Sequence, residues 1–248
     1  MKSYIYGKHV VLEALTHRPD VISELYLAHD IEGAEEVKKR AREEGIAIKA
    51  FNGTETLRAL EPGAVHQGYV AMLDTSKLVI PFEEYTSSLN IGQDTALVLL
   101  DEIQDPQNVG AIIRSAAGFG ISAILIPPHN QAQISGAIVK VSAGMVFCMP
   151  LVSIGNVNTT LRSLKDKGFW IYGLEGTGDH PIGTEVFDAP AVFVLGNEGR
   201  GIREKTLEIC DFHLSIPLNP RCESLNVGAS SAVVLGMWSA QHPEALGL

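Results

Sequence analysis

Residues 96–126 read ALVLLDEIQDPQNVGAIIRSAAGFGISAILI, and the change of texture along this stretch decides the fold. Residues 96–100 are an unbroken apolar run, the pattern of a strand buried on both faces rather than on one. A polar loop opens at Asp101, after which Ile112, Ile113, Ala116 and Ala117 recur at helical spacing. Residues 123–126 return to an unbroken apolar run. Similar runs fill 169–173, 191–195 and 213–216. Short apolar strands alternating with helices predict an α/β domain around a parallel, helix-covered sheet. In such sheets ligands lie beyond the carboxyl ends of the strands, so the loops after each run are the places to look for chemistry.

Upstream, residues 1–73 read as a small α/β unit. The pattern predicts a helix near 7–15, a strand at 22–28, a charged helix at 32–44 stopped by Gly45, a strand at 46–51, a short helix begun by Thr54 and a strand at 69–73. From 74 to 94 periodicity fades and Pro81, Ser87, Ser88, Asn90 and Gly92 collect, which predicts a linker. The expected organisation is therefore a small domain at 1–73, a linker at 74–94 and a larger domain at 95–248.

With 248 residues and 46% hydrophobic content the chain can bury a sizeable core. A net charge of −10 argues against broad electrostatic coating of nucleic acid, so an RNA partner would be held locally. The one dense basic run, Lys38, Lys39, Arg40 and Arg42, sits among Glu35, Glu36, Glu43 and Glu44 and reads as a solvated helix face with i,i+4 pairs. The opening residues lack a signal-peptide pattern and no apolar stretch reaches bilayer length, so a cytoplasmic protein with no membrane contact is expected. Cys148, Cys210 and Cys222 form no CxxC pair and are expected as reduced thiols. The eight histidines form no HExxH or comparable cluster, and no metal is expected.

Three loops carry polar residues beyond strand ends. The first, 101–110, leads into a helix; Asn108 is placed to cap it, and Arg114 is either a helix-edge side chain or a fixed guanidinium that clamps a phosphate or a hydroxyl oxygen. The second, Gly196-Asn197-Glu198-Gly199-Arg200-Gly201, lets backbone approach a ligand or turn tightly, but its spacing is not GxGxxG. The third runs from Pro217 to Gly228, with Ser224 and Asn226 as caps or as site residues, before a helix rich in small residues.

Together DPQNVGAIIRSAAGFG, FVLGNEGRGI and IPLNPRCESLNVGASSAVVLG, in this order, closely resemble the three motifs of the SpoU family of the SPOUT class, RNA ribose 2′-O-methyltransferases. The segments YGKHVVLEAL near the start and VHQGYVA at 65–71 are similar to the small, L30e-like substrate-binding domain of members that modify 23S rRNA guanosine. The resemblance implies S-adenosylmethionine as cofactor, RNA as partner, a homodimer, and a deep C-terminal trefoil knot that general topology rules would not predict. It places cofactor contacts at Gly196, Ile216 and Leu225, with backbone from Leu195, Gly199, Leu218 and the loop at Gly173. Catalytic positions map onto Asn108, Arg114, Glu198, Ser224 and Asn226. Arg114 is the family's candidate for activating the hydroxyl; since a guanidinium stays protonated, positioning is the physically preferred role. Two alternatives stay open, a tRNA substrate or an RNA-binding assembly factor without catalysis.

Overall fold

The structure, a computed structural model, describes residues 2–29, 31, 33–51 and 65–247. In chain order it contains β1 (Lys2–Tyr6), α1 (Lys8–His17), β2 (Ile22–Leu27), α2 (Glu35–Glu43), β3 (Ile48–Ala50), β4 (Tyr69–Asp74), β5 (Val79–Pro81), α3 (Phe82–Ser88), β6 (Ala96–Asp101), α4 (Pro106–Gly118) and β7 (Ala123–Ile126). There follow α5 (Gly136–Val141), β8 (Leu151–Ser153), α6 (Val157–Asp166), β9 (Trp170–Leu174), β10 (His180–Pro181), β11 (Ala191–Gly196), α7 (Glu204–Leu207), β12 (Phe212–Ser215) and α8 (Val227–Gln241). These fall into two compact units, Met1–Val79 with Ile134–Cys148, and Ile80–Gln133 with Met149–Leu248. The helix expected from Thr54 lies outside the described residues.

The first unit holds a four-stranded sheet in the order β1-β4-β2-β3, antiparallel except for the parallel β2–β3 pair. Helix α1 buries Val11, Ala14 and Leu15, one stripe at i, i+3 and i+4. On α2 only Val37 and Ala41 face inward. Its cations pair along the outer face, Lys38 with Glu35 at 2.9 Å, Arg40 with Glu36 at 3.2 Å and Lys39 with Glu43 at 3.9 Å, so the basic run is a solvated face. Strand β1 was not expected; its SYIY stretch is too short for periodicity to separate from background. Nor was the return of 134–148 to this unit. That segment docks because Gly136 has no side chain: its amide donates to Ser3 Oγ at 2.9 Å, and a Cβ there would lie 2.1 Å from the Tyr4 carbonyl oxygen.

The second unit is built on an eight-stranded sheet in the order β10-β12-β9-β11-β6-β7-β8-β5, whose pairings from β10 through β8 are all parallel. Every residue of β6 and β11 is buried, as their unbroken apolar runs require. The stretch read as a linker instead contains β5 and α3. Phe82, Tyr85 and Leu89, at helical spacing, pack on the core beside Leu97 and Leu125, and the Tyr85 hydroxyl donates to the Ser122 carbonyl at 3.0 Å. Burial pushes that phenol up to about 12. Three apolar anchors among polar neighbours are enough to order the segment, yet too few to dominate its composition.

Candidate active site

Strand β6 ends on Asp101, fully buried, whose carboxylate accepts from the Arg203 amide at 3.1 Å and from Arg203 Nε at 2.9 Å. The pair ties the end of the loop after β11 to the end of β6. Asp101 is buried while Arg203 is half exposed, so losing the arginine would leave a buried carboxylate without its cation, whereas losing the aspartate would leave a guanidinium that water can reach. Next to it Glu102 adopts φ 65°, a left-handed conformation rare for a residue with a side chain, where the chain turns toward α4. Its carbonyl accepts from Asn197 Nδ2 at 2.9 Å and its carboxylate from Asn130 Nδ2 at 3.1 Å, so the turn is held from two sides.

The cap of α4 is Asp105, not Asn108 as the sequence suggested. Asp105 Oδ1 accepts from the Gln107 amide at 2.8 Å, and Pro106 fills the first helical position, where its missing N–H does no harm. Asn108 is thereby freed within the first turn to join three loops. Its Nδ2 donates to Glu198 Oε1 at 2.8 Å, and its Oδ1 accepts from Asn226 Nδ2 at 2.8 Å. Asn226 in turn caps α8, its Oδ1 accepting from the amides of Gly228 at 2.9 Å and Ala229 at 3.3 Å. Helices α4 and α8 approach closely because Gly228 lies opposite Ala111, where an added Cβ would sit 3.1 Å from the alanine methyl. One amide side chain thus connects the ends of β6, β11 and β12.

Beside this bridge opens a cleft of about 730 Å³, a size that suits a small organic ligand. Leu195, Gly196, Ile216, Leu218 and Leu225 line it, together with Glu198, Ser224 and Asn226. Gly196 is needed for space: a Cβ would lie 2.2 Å from the Ile202 nitrogen and 2.3 Å from the Gly201 carbonyl carbon. The loop doubles back onto it through reciprocal hydrogen bonds between Asn197 and Gly201, at 3.0 and 2.9 Å. Gly199 does not line the cleft; its amide donates to Asn197 Oδ1 at 3.0 Å and shapes the turn. Gly173 does not line it either, since it sits within β9, facing Cys210, Leu207 and Ile202; the next residues, Leu174, Glu175 and Gly176, line the cleft instead.

Arg114 stands apart. It lies on α4 nearly two turns beyond Asn108, about 9 Å at an α-helical rise. It is exposed, absent from the cleft wall and without a hydrogen bond or ion pair among the described residues. Asn197, Asp101 and Arg203 were passed over in the sequence although all three hold the site together; the Asp101-Glu102 dipeptide ending a buried apolar strand was the available signal for the first of them.

The thiols divide by burial. Burial, with the Asp211 carboxylate adding to it, pushes Cys210 up to about 12, whereas Cys222 is exposed on the cleft wall and Cys148 is exposed in the other unit. An alkylating reagent at about pH 8, below the ordinary thiol value of about 8.5, is expected to label the exposed Cys222 in the native chain and to reach Cys210 only after denaturation. Mass spectrometry of the digested protein reads this directly, and native labelling of Cys210 would mean that the packing beside Gly173 is loose.

Known proteins resemble the chain along most of its length. The SpoU rRNA Methylase family profile matches residues 95–236, and the profile for RNA 2′-O ribose methyltransferase substrate binding matches residues 4–79. The 23S rRNA (guanosine-2′-O-)-methyltransferase RlmB of Neisseria meningitidis is 36% identical over 93% of this chain and 92% of its own. Its namesake from Nitrosomonas europaea is 31% identical over 98% and 94% respectively. Among solved structures, the SpoU methyltransferase AviRb from Streptomyces viridochromogenes in complex with AdoMet superposes with a TM-score of 0.78 at 22% identity, covering 98% of this chain and 91% of that one. The AdoMet-bound rRNA methyltransferase from Sinorhizobium meliloti gives 0.80 at 20% identity, covering 96% and 87%.

Proposed function

Because the chain belongs to the SpoU rRNA methylase family, we propose that it transfers a methyl group from S-adenosylmethionine to the 2′-hydroxyl of a guanosine in 23S rRNA. The observation that carries the donor is the charge of the cleft. Glu175, Glu198 and Glu223 line it and no Lys, Arg or His does so among the described residues. Such a wall favours a sulfonium and an ammonium and disfavours a dinucleotide's phosphates. Leu195, Ile216, Leu218 and Leu225 offer apolar surface to an adenine, and the backbone of Gly196 lies at the same wall. When bound, the donor would supply a methyl carbon activated by positive sulfur; transfer to the ribose oxygen would break the C–S bond, release the neutral thioether and pass the hydroxyl proton to water.

The residues divide that work between them. Glu198, Asn108 and Asn226 fix the geometry of the three loops, and Ser224 orders the wall over the donor. Arg114 supplies an exposed permanent cation for the phosphate beside the target ribose or for its oxygen. Residues 4–79 hold the RNA, as the substrate-binding profile suggests. A second copy of the chain covers the outward face of α8, where Ala229, Val233 and Ala240 are exposed without a charge. The trefoil knot implied by the family likeness belongs to the same reading, supported by the insertion of the late strand β12 between β10 and β9 rather than at an edge. Placement in the cytoplasm follows from an rRNA substrate; among the described residues no helix is long and apolar enough to cross a membrane.

The test is methyl transfer from labelled donor to 23S rRNA and to bulk tRNA, with the product mapped to its nucleotide. Label in a 23S guanosine 2′-O-methyl group supports the reading; label only in tRNA, or none, overturns it. In the same assay Arg114→Ala is expected to lower kcat at least tenfold while leaving donor affinity unchanged, because Arg114 lies off the donor's cleft. Full activity with unchanged RNA affinity would remove Arg114 from the mechanism.

A further inference from the structure

In the first unit, α1 and the turn before Cys148 bring together three side chains that the methyl-transfer reading does not use. Glu13 and His17 stand one turn apart on α1, with His17 Nε2 at 3.4 Å from Glu13 Oε2. Cys148 follows the 3-10 turn Met145–Phe147. One ligand atom from each of Glu13, His17 and Cys148 lies within 4.8 Å of the other two, the only such group of three or more metal-binding side chains among the described residues. His9, one turn earlier on the same face, places its Nδ1 3.9 Å from the other Glu13 oxygen.

The backbone holds this arrangement. Gly144, at φ 84°, turns the chain so closely past α1 that a Cβ there would lie 2.9 Å from Glu13 Cγ. The stem of Glu13 is thereby pressed between that turn and its own helix, and its side chain is only 22% exposed. A divalent cation among the three attracts thiolate and carboxylate alike.

We infer that Glu13, His17 and Cys148 form a binding site for a zinc-like transition-metal ion, with its fourth position left to water. The donor chemistry selects the ion. A thiolate, an imidazole and a carboxylate suit zinc, whereas magnesium and calcium call for oxygen ligands alone. Zinc bonds of about 2.0–2.3 Å arranged tetrahedrally separate neighbouring ligand atoms by roughly 3.3–3.8 Å. The Glu13–His17 spacing of 3.4 Å already matches, and the Cys148 thiol, at an exposed position, lies within 4.8 Å of both. On binding, the Cys148 thiol releases its proton to solvent as the S–Zn bond forms, with no change of oxidation state. The ion would staple α1 to the 144–148 turn, two pieces of one unit that are remote in sequence. That remoteness hides the site, because no local spacing of His and Cys announces it.

The experiment is titration of the full chain, freed of metal, with zinc alone, and then with cobalt(II) as an optical probe. Expected are one zinc per chain, a raised melting temperature on binding, and a cobalt spectrum of tetrahedral type with a thiolate charge-transfer band. Cys148→Ser and His17→Ala should each weaken zinc binding at least tenfold, and Cys148→Ser should remove the band while Cys222→Ser keeps it. Zinc affinity equal in wild type and in both variants, or a wild-type cobalt spectrum without the thiolate band, overturns the assignment. The optical readout on the unaltered chain holds even if a variant folds poorly.

Discussion

Gly196→Ala is expected to lose donor binding by at least a hundredfold, which corresponds to about 2.7 kcal/mol, even though only one methyl group is added. The methyl would run into the Gly201–Ile202 peptide group, with the Ile202 nitrogen at 2.2 Å and the Gly201 carbonyl carbon at 2.3 Å, so no side-chain rotation relieves it. The loop would have to open, breaking the paired hydrogen bonds between Asn197 and Gly201 and displacing Glu198. Gly196 is also the last residue of β11, paired in register with Asp101, so the strain reaches the Arg203 anchor. Overpacking of this kind costs about 1–3 kcal/mol of stability, so the chain should fold with a lowered melting temperature. Calorimetry with S-adenosylmethionine on the folded variant makes the check; retention of wild-type affinity would show that the cleft beside Gly196 is not where the donor sits.

Asn108→Leu should act differently, on turnover more than on donor affinity. Leucine keeps the volume of the side chain but gives Glu198 Oε1 and Asn226 Nδ2 nothing to bond, and Asn108 is only 6% exposed, so water cannot easily replace it. The three loops then lose their common tie. Displacements of about 1 Å in a reacting pair cost on the order of a hundredfold in rate, and a fall of that size in kcat is expected. Donor affinity should change little, because Asn108 itself does not line the cleft. Asn108→Asp offers a control: it can still accept from Asn226 but repels Glu198, and it should be no better than leucine. A leucine variant with normal kcat would reduce the bridge to a structural ornament.

What could be read in advance followed from how thoroughly each element is buried. Strands β6, β7 and β11 have solvent on neither face, so their sequences are unbroken apolar runs and their bounds fell within a residue. Strands β5 and β10, three and two residues long, leave too little pattern to recognise. The motif residues that converge, Glu198, Ser224, Leu225 and Asn226, were identifiable because the second and third of the ordered motifs carried them. Their wiring was not. Whether Asp105 or Asn108 caps α4 depends on which side chain reaches the Gln107 amide, and both sit where a cap could stand. Gly173 looked like a loop glycine, yet its missing side chain makes room for Cys210 inside the sheet. The Arg203–Asp101 pair and the Glu13–His17–Cys148 group both join residues far apart in the chain, and no window of sequence contains either.

The return of residues 134–148 to the first unit changes what counts as a separable piece. A substrate-binding profile ends at residue 79, but the fold to which that stretch belongs draws α5 and the turn at Gly144 from much later in the chain. A ribosome making this protein has therefore not finished the amino-terminal fold when it passes residue 79. Strand β1 can already pair with β4, but Ser3 lacks its bond to Gly136 until the polypeptide beyond β7 has emerged.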